Sequence, residues 1–217
     1  LLSHLQYTPA ERNQGYCGNC WAWAGTGVLE IALSVQESIK DRLSVQYLNS
    51  CFGTDDSYAC CGGWLQDLSD FYSRSGYEQA VPWSNTSASW QDGEEADAEC
   101  PGTSSVTCAS IIDSPNYPID SIATTTITTQ GVAQSTAISN IKNVIDQDKA
   151  VWFAFFMGQE EDWTDFYNFW DYQAEGGVSF NFNSSCNKAW DDYNGGGHAV
   201  LCVGYNDDDA ENSYWIM

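Results

Sequence analysis

Cys17, Cys20, His4 and His198 bound the nucleophile and metal chemistry considered for this chain. Cys17 and Cys20 form a C-x-x-C pair within the stretch from Gln14 to Trp23, and His4 and His198 are the only histidines. Three chemistries compete for the pair. A zinc site needs a second cysteine pair or histidines at ligand spacing, which two isolated histidines do not supply. A redox pair of the thioredoxin kind comes with a nearby βαβ pattern, and none is visible. The third reading is a nucleophilic Cys20 beside a structural Cys17. A cysteine attacks as thiolate, and a free thiol with a pKa of about 8.5 supplies little of it at neutral pH. A close imidazole raises that supply by forming a thiolate–imidazolium pair.

These side chains need elements to carry them. Behind Cys20, the residues Ala24, Val28, Ile31, Ala32, Val35 and Ile39 recur at spacings of three and four, the period of an amphipathic helix. Cys20 then falls at or just before the first turn. Unpaired N–H groups and the positive end of the helix dipole favour a thiolate there. His198 follows Gly195-Gly196-Gly197 and leads the apolar run Ala199 to Tyr205, a strand pattern. The two groups must therefore meet across two different elements.

The stretch Gln14 to Trp23 resembles the signature of the papain-like cysteine proteases, a Gln followed by C-G-[SA]-C-[WY]. Asn19 departs from the Ser or Ala of that pattern. The run His198 to Tyr205 resembles the family's H-A-V-x-x-V-G-Y strand. Leu43 to Cys51 matches its L-S-x-Q-x-L-x-x-C stretch. The resemblance covers about residues 7–83 and 136–217. It implies an α+β, two-lobed papain-like fold. The helical N-terminal lobe with a loop insertion would span about 14–123 and the β-barrel-like lobe about 124–217, with the cleft between them. It implies a cysteine endopeptidase that works through a Cys20 thioester, with His198 as base and Gln14 as oxyanion donor. Gly62, Gly63, Trp21 and Gly197 are the implied substrate contacts, and a peptide or protein is the implied substrate. No metal and no organic cofactor is implied. The same resemblance pairs Cys17 with Cys60, Cys51 with Cys100 or Cys108, and Cys61 with the other. A transpeptidase or ligase using this site, and a non-catalytic adhesion or binding domain, are the rival readings.

Composition limits partners and compartment. The 217 residues carry 30 Asp and Glu against 7 Lys and Arg, a net charge of −23. Such a surface repels nucleic acid and anionic lipid, so both are excluded as partners. No apolar run reaches transmembrane length, so no membrane insertion is expected. Nine cysteines point to an oxidising compartment, secreted or extracellular, with a cell-surface or lysosome-like location as the alternative. An odd count leaves at least one thiol free or paired outside the chain.

Along the chain, residues 1–13 read as an extended lead-in. The helix from Cys20 is expected to end near Lys40-Asp41. Ser44 is a candidate N-cap, and Trp64 to Tyr72 is an amphipathic helix stopped by Gly76. Residues 84–135 carry little pattern and absorb the long spacing from Cys20 to His198, which exceeds the roughly 130–150 residues of papain relatives. Thr124 to Thr129 is expected to begin the β-rich part. Ile138 to Asp148 reads as a helix and Val151 to Met157 as a buried strand. Gly176-Gly177-Val178 resembles a strand start. Tyr214 to Met217 matches a family strand after which the family places the residue that orients the histidine. The chain is thus expected to lack its C-terminal end, that orienting residue and a partner for Cys186. Asn212 reads as a hairpin residue, and Cys202 as a buried thiol or a substitute disulfide partner.

Overall fold

The computed structural model describes residues 1–6, 13–53, 58–93, 102–172, 179–181, 188–209 and 211–217. The elements are arranged around helix α1, Cys20–Glu37. Its first half is buried almost all round, from Trp21 to Gly27. Of the stripe read from the sequence, Ala24 and Ile31 are buried, Val28 and Ala32 are half-buried, and Val35 and Ile39 are exposed; the burial concentrates in the first half. The cause is packing from two sides: a Cβ on Gly25 would fall 2.2 Å from Leu68, and one on Gly27 would fall 2.6 Å from Leu201. The helix stops at Ser38, which adopts φ 59° and ψ 25°. That is earlier than the expected end near Lys40-Asp41, because a left-handed residue interrupts the helical path.

Helices α2, Val45–Cys51, and α3, Leu65–Tyr72, complete the first half. The Ser44 hydroxyl accepts from the Tyr47 N–H at 3.1 Å, so it caps α2 as its residue type and position require. Asp67 caps α3 by accepting from the Trp64 N–H at 2.6 Å, and Gly76 follows the helix at φ 90°. Trp21, Leu48, Leu68, Phe71 and Val81 form the main core. Full burial of one such large side chain stabilises the fold by about 1.5–3 kcal/mol. The Cys17–Cys60 and Cys51–Cys108 disulfides brace this half. Cys61 is also disulfide-bonded; the expected pairing with Cys100 lies outside the described residues. Short strands β1, Gln79–Ala80, and β2, Tyr117–Pro118, pair antiparallel at its edge.

The second half holds helix α4, Gln134–Ile145, strand β3, Val151–Met157, helix α5, Glu160–Tyr172, and strands β4, Gly196–Cys202, β5, Gly204–Asn206, and β6, Tyr214–Ile216. β3 pairs antiparallel with β4, placing Phe155 opposite His198, and β5 pairs antiparallel with β6. Ile141, Ile145, Val151 and Cys202 form its core.

Several expectations are corrected. Thr124 to Thr129 forms no strand; its polar groups bond to side chains instead, as when the Thr124 hydroxyl donates to Gln66 Oε1. β3 is not buried on both faces, since Ala154 and Phe156 are exposed. The lead-in is not extended throughout: Leu2–His4 is a 3-10 turn. The N-terminal ammonium donates to the Val203 carbonyl, and Leu5 packs with Ile31 and Val203. Gly176-Gly177-Val178 and Cys186 lie outside the described residues.

Candidate active site

Cys20 opens α1 and is a half-buried free thiol. His198 sits on β4 two residues into the strand, after Gly196 and Gly197. Both line one cleft of about 440 Å³, together with Gly62, Gly63, Gly197 and the aromatic side of β3. Helix α1 packs against β4, and the backbone N–H groups of Ala199, Trp21 and Cys20 act to lower the Cys20 thiol against the effect of burial. The connection is held from β3 as well: Trp152 Nε1 donates to the Trp21 carbonyl at 3.1 Å.

The electrostatics differ from the expectation of a depressed thiol. Burial pushes the Cys20 thiol up, and the three N–H groups oppose that without overturning it. Burial also lowers His198 to about 4. A charge on either group is disfavoured when it lacks full hydration. At neutral pH both effects favour a neutral thiol and a neutral imidazole. His198 is packed among Phe155, Phe166 and Trp163, with ring centroids at 5.5, 5.1 and 6.3 Å. Among the described residues none accepts a hydrogen bond from its ring. Asn212 does not reach it: its side chain donates to Asp209 Oδ2 at 2.6 Å in the turn before β6.

The other site expectations fare unequally. Gln14 Nε2 donates to the Cys17 carbonyl at 2.8 Å, which ties it to the loop before Cys20 and leaves the second amide hydrogen uncommitted. Gly62 adopts φ 92° with open space where a Cβ would be, so its backbone needs glycine. Gly63 lies against the Trp21 indole, where a Cβ would come within 2.5 Å. Trp21 is corrected as a substrate contact. It is completely buried, and its Nε1 donates to the Ala59 carbonyl at 3.0 Å, so it supports the cleft floor from beneath. The cleft residues Trp64, Trp152 and Phe156 were not singled out in the sequence. The positions Trp152, Ala154 and Phe156 at spacing two were the available signal, since a strand with one open face alternates in this way.

Cys20 at a helix N-terminus and His198 on a strand thus line one cleft. The family described as papain family cysteine protease matches residues 5–217, and this chain belongs to that family. It is 37% identical to cathepsin L 2 of Paramecium tetraurelia over 78 residues, covering 36% of this chain and 25% of that protein. It is 33% identical to an aleurain-like thiol protease of Arabidopsis thaliana over 75 residues, covering 33% of this chain and 21% of that one. The chain thus spans about a quarter of the length of the curated relatives it matches. The proform of the ragweed pollen cysteine protease Amb a 11 shares the fold, with a TM-score of 0.56 and 19% identity over 94% of this chain and 49% of that one.

Proposed function

We propose that this chain is the peptidase part of a cysteine endopeptidase, with Cys20 as nucleophile and His198 as general base. The observation that carries the reading is the shared cleft, which Cys20 at the start of α1 and His198 on β4 line together. In this scheme a peptide carbonyl lies over the sulfur. Cys20 passes its proton to His198 as the sulfur attacks, so the buried pair charges only when the transition state forms. The oxyanion takes the Cys20 backbone N–H and the free hydrogen of the Gln14 amide. Collapse breaks the C–N bond, and the leaving amine takes the proton from His198. Water then loses a proton to His198 and attacks the thioester, which releases the acid and restores the thiol. Gly62, with open space at its Cβ position, offers its backbone to the substrate, and Gly197 lines the same cleft from β4. A secreted or lysosome-like compartment belongs to the same proposal, supported by the disulfides.

The test is turnover of a peptide library by the full protein and its variants. Cys20→Ala and His198→Ala should each abolish cleavage with the fold intact. Gln14→Ala should lose about 10²–10³ in rate, as expected for one oxyanion donor. Cleavage by Cys20→Ala above background would overturn the assignment.

A further inference from the structure

Helix α5 leaves β3 by the short turn Gly158-Gln159 and brings two rings to β4. Trp163 and Phe166, three residues apart, lie on one face of the helix. Both meet the His198 imidazole in T-shaped contacts, with interplanar angles of 77° and 61°. Phe155, directly opposite His198 on β3, adds a third such contact at 70°. Edge-to-face arrangements of this kind are favoured between aromatic rings. Trp163 also covers β4 two residues ahead of the histidine: a Cβ on Gly196 would fall 2.8 Å from its indole. Glycine at that position lets the indole lie there.

Phe155 and His198 line the cleft with Cys20, whereas Trp163 and Phe166 are not among the residues that line it. The two α5 rings can therefore restrict how the imidazole turns without touching a substrate in the cleft.

The helix that carries them is tied down by a buried carboxylate. Asp162, in the first turn of α5, is 1% exposed. Its Oδ2 accepts from the Gly158 and Gln159 N–H groups, both at 3.2 Å. Its Oδ1 accepts from Lys188 Nζ at 2.5 Å. The residues after Lys188 are bonded to the same turn. The Asp191 N–H donates to the Gly158 carbonyl at 2.9 Å, and Gln159 Nε2 donates to the Ala189 carbonyl at 3.3 Å. An ionised carboxylate accepts on both oxygens at once. An amide at 162 would have to point its NH₂ either at the two N–H groups or at the Lys188 ammonium, and each meeting sets donor against donor.

We propose that α5 positions the His198 imidazole, with Trp163 and Phe166 confining the ring and the Asp162 carboxylate anchoring the helix that carries them. The proposal rests on the reading of His198 as the base. Trp163, Phe166 and Asp162 are positioning residues. A side chain locked by its neighbours keeps one rotamer, and a misplacement of about 1 Å can cost about 10² in rate.

The test uses the full protein, isotope-labelled at its histidine rings. The chain has two histidines, His4 and His198, so NMR sees two rings, and His198→Gln assigns them. Two quantities are read: the order of the His198 ring C–H vectors, and kcat and KM separately on a peptide substrate. Trp163→Ala and Phe166→Ala should each lower the ring order and reduce kcat by about ten- to 10²-fold with KM unchanged. Trp163→Phe, which keeps an aromatic ring, should retain both. Asp162→Asn is near-isosteric and should shift both quantities in the same direction, which keeps the test open where an alanine variant fails to fold. Ile141→Val loosens a separate core in the same half and should change neither, so general destabilisation is told apart from positioning. Parent-like ring order in Trp163→Ala, Phe166→Ala and Asp162→Asn, or a loss carried by KM rather than kcat, overturns the proposal. Parent-like turnover by His198→Ala would sink the base reading instead, while the ring order would still decide the confinement.

Discussion

Trp152 on β3 donates its indole N–H to the carbonyl of Trp21 on α1 at 3.1 Å. One bond therefore links the strand that walls the cleft to the first turn of the helix that carries Cys20. Trp152→Phe keeps most of the ring and loses the donor. The expected cost is about 1 kcal/mol of stability, read as a lower urea midpoint with an unchanged m-value. A midpoint equal to that of the parent would show that this link contributes nothing net.

Gly62 and Gly63 stand side by side for different reasons. Gly62 needs its positive φ of 92°, whereas a Cβ on Gly63 would enter the Trp21 indole. Gly63→Ala must displace a completely buried ring and should destabilise by about 1–3 kcal/mol, as overpacking does. The substitution is therefore a poor probe of substrate approach. Thermal unfolding of the unliganded protein decides it, since a substrate-facing Gly63 would leave the unliganded melting temperature unchanged.

Much of this arrangement could be read before the fold. The Gln14 to Trp23 stretch and the strand after His198 carry their geometry in local pattern: a helix start, a glycine run and an apolar strand. The buried hydrogen bonds that Asp92 accepts from Gln46, Asn49, Ser104 and Ser105 could not be read, because Asp92, Ser104 and Ser105 lie in a segment whose polar composition looks like plain loop. Their meaning comes from a tertiary meeting with Gln46 and Asn49. Trp21 was misjudged for a related reason. Adjacency to Cys20 in sequence says nothing about direction, and the helix turns Trp21 into the core. The missing strand at Thr124 to Thr129 shows β-branched propensity without a partner strand.

The two free cysteines among the described residues differ in access. Cys20 is half-buried in the cleft, and Cys202 is completely buried in the β4 core. Iodoacetamide should label Cys20 first in the native protein, and Cys202 only after unfolding. Peptide mapping after short native exposure checks this. Label at Cys202 before Cys20 would mean that the β4 core opens more readily than the cleft admits the reagent.

His198 makes stability depend on pH in a definite direction. Its pKa falls from 6.5 in the unfolded chain to about 4 in the fold because burial disfavours the imidazolium. Above the upper value both states are neutral and the group has no effect. Between the two values the unfolded state holds the extra proton, so stability falls as pH falls, with a limiting slope of about 1.4 kcal/mol per pH unit. Below the lower value both states are protonated and the loss is complete. Urea midpoints taken at about pH 7 and about pH 5 should therefore drop for the parent protein and drop less for His198→Gln, which has no titrating ring. The same burial keeps the imidazole unprotonated as pH falls, so the proposed base should stay available below the ordinary histidine range. Equal drops in the parent and the variant would place the acid sensitivity outside His198, and with it the argument that desolvation sets this ring's charge.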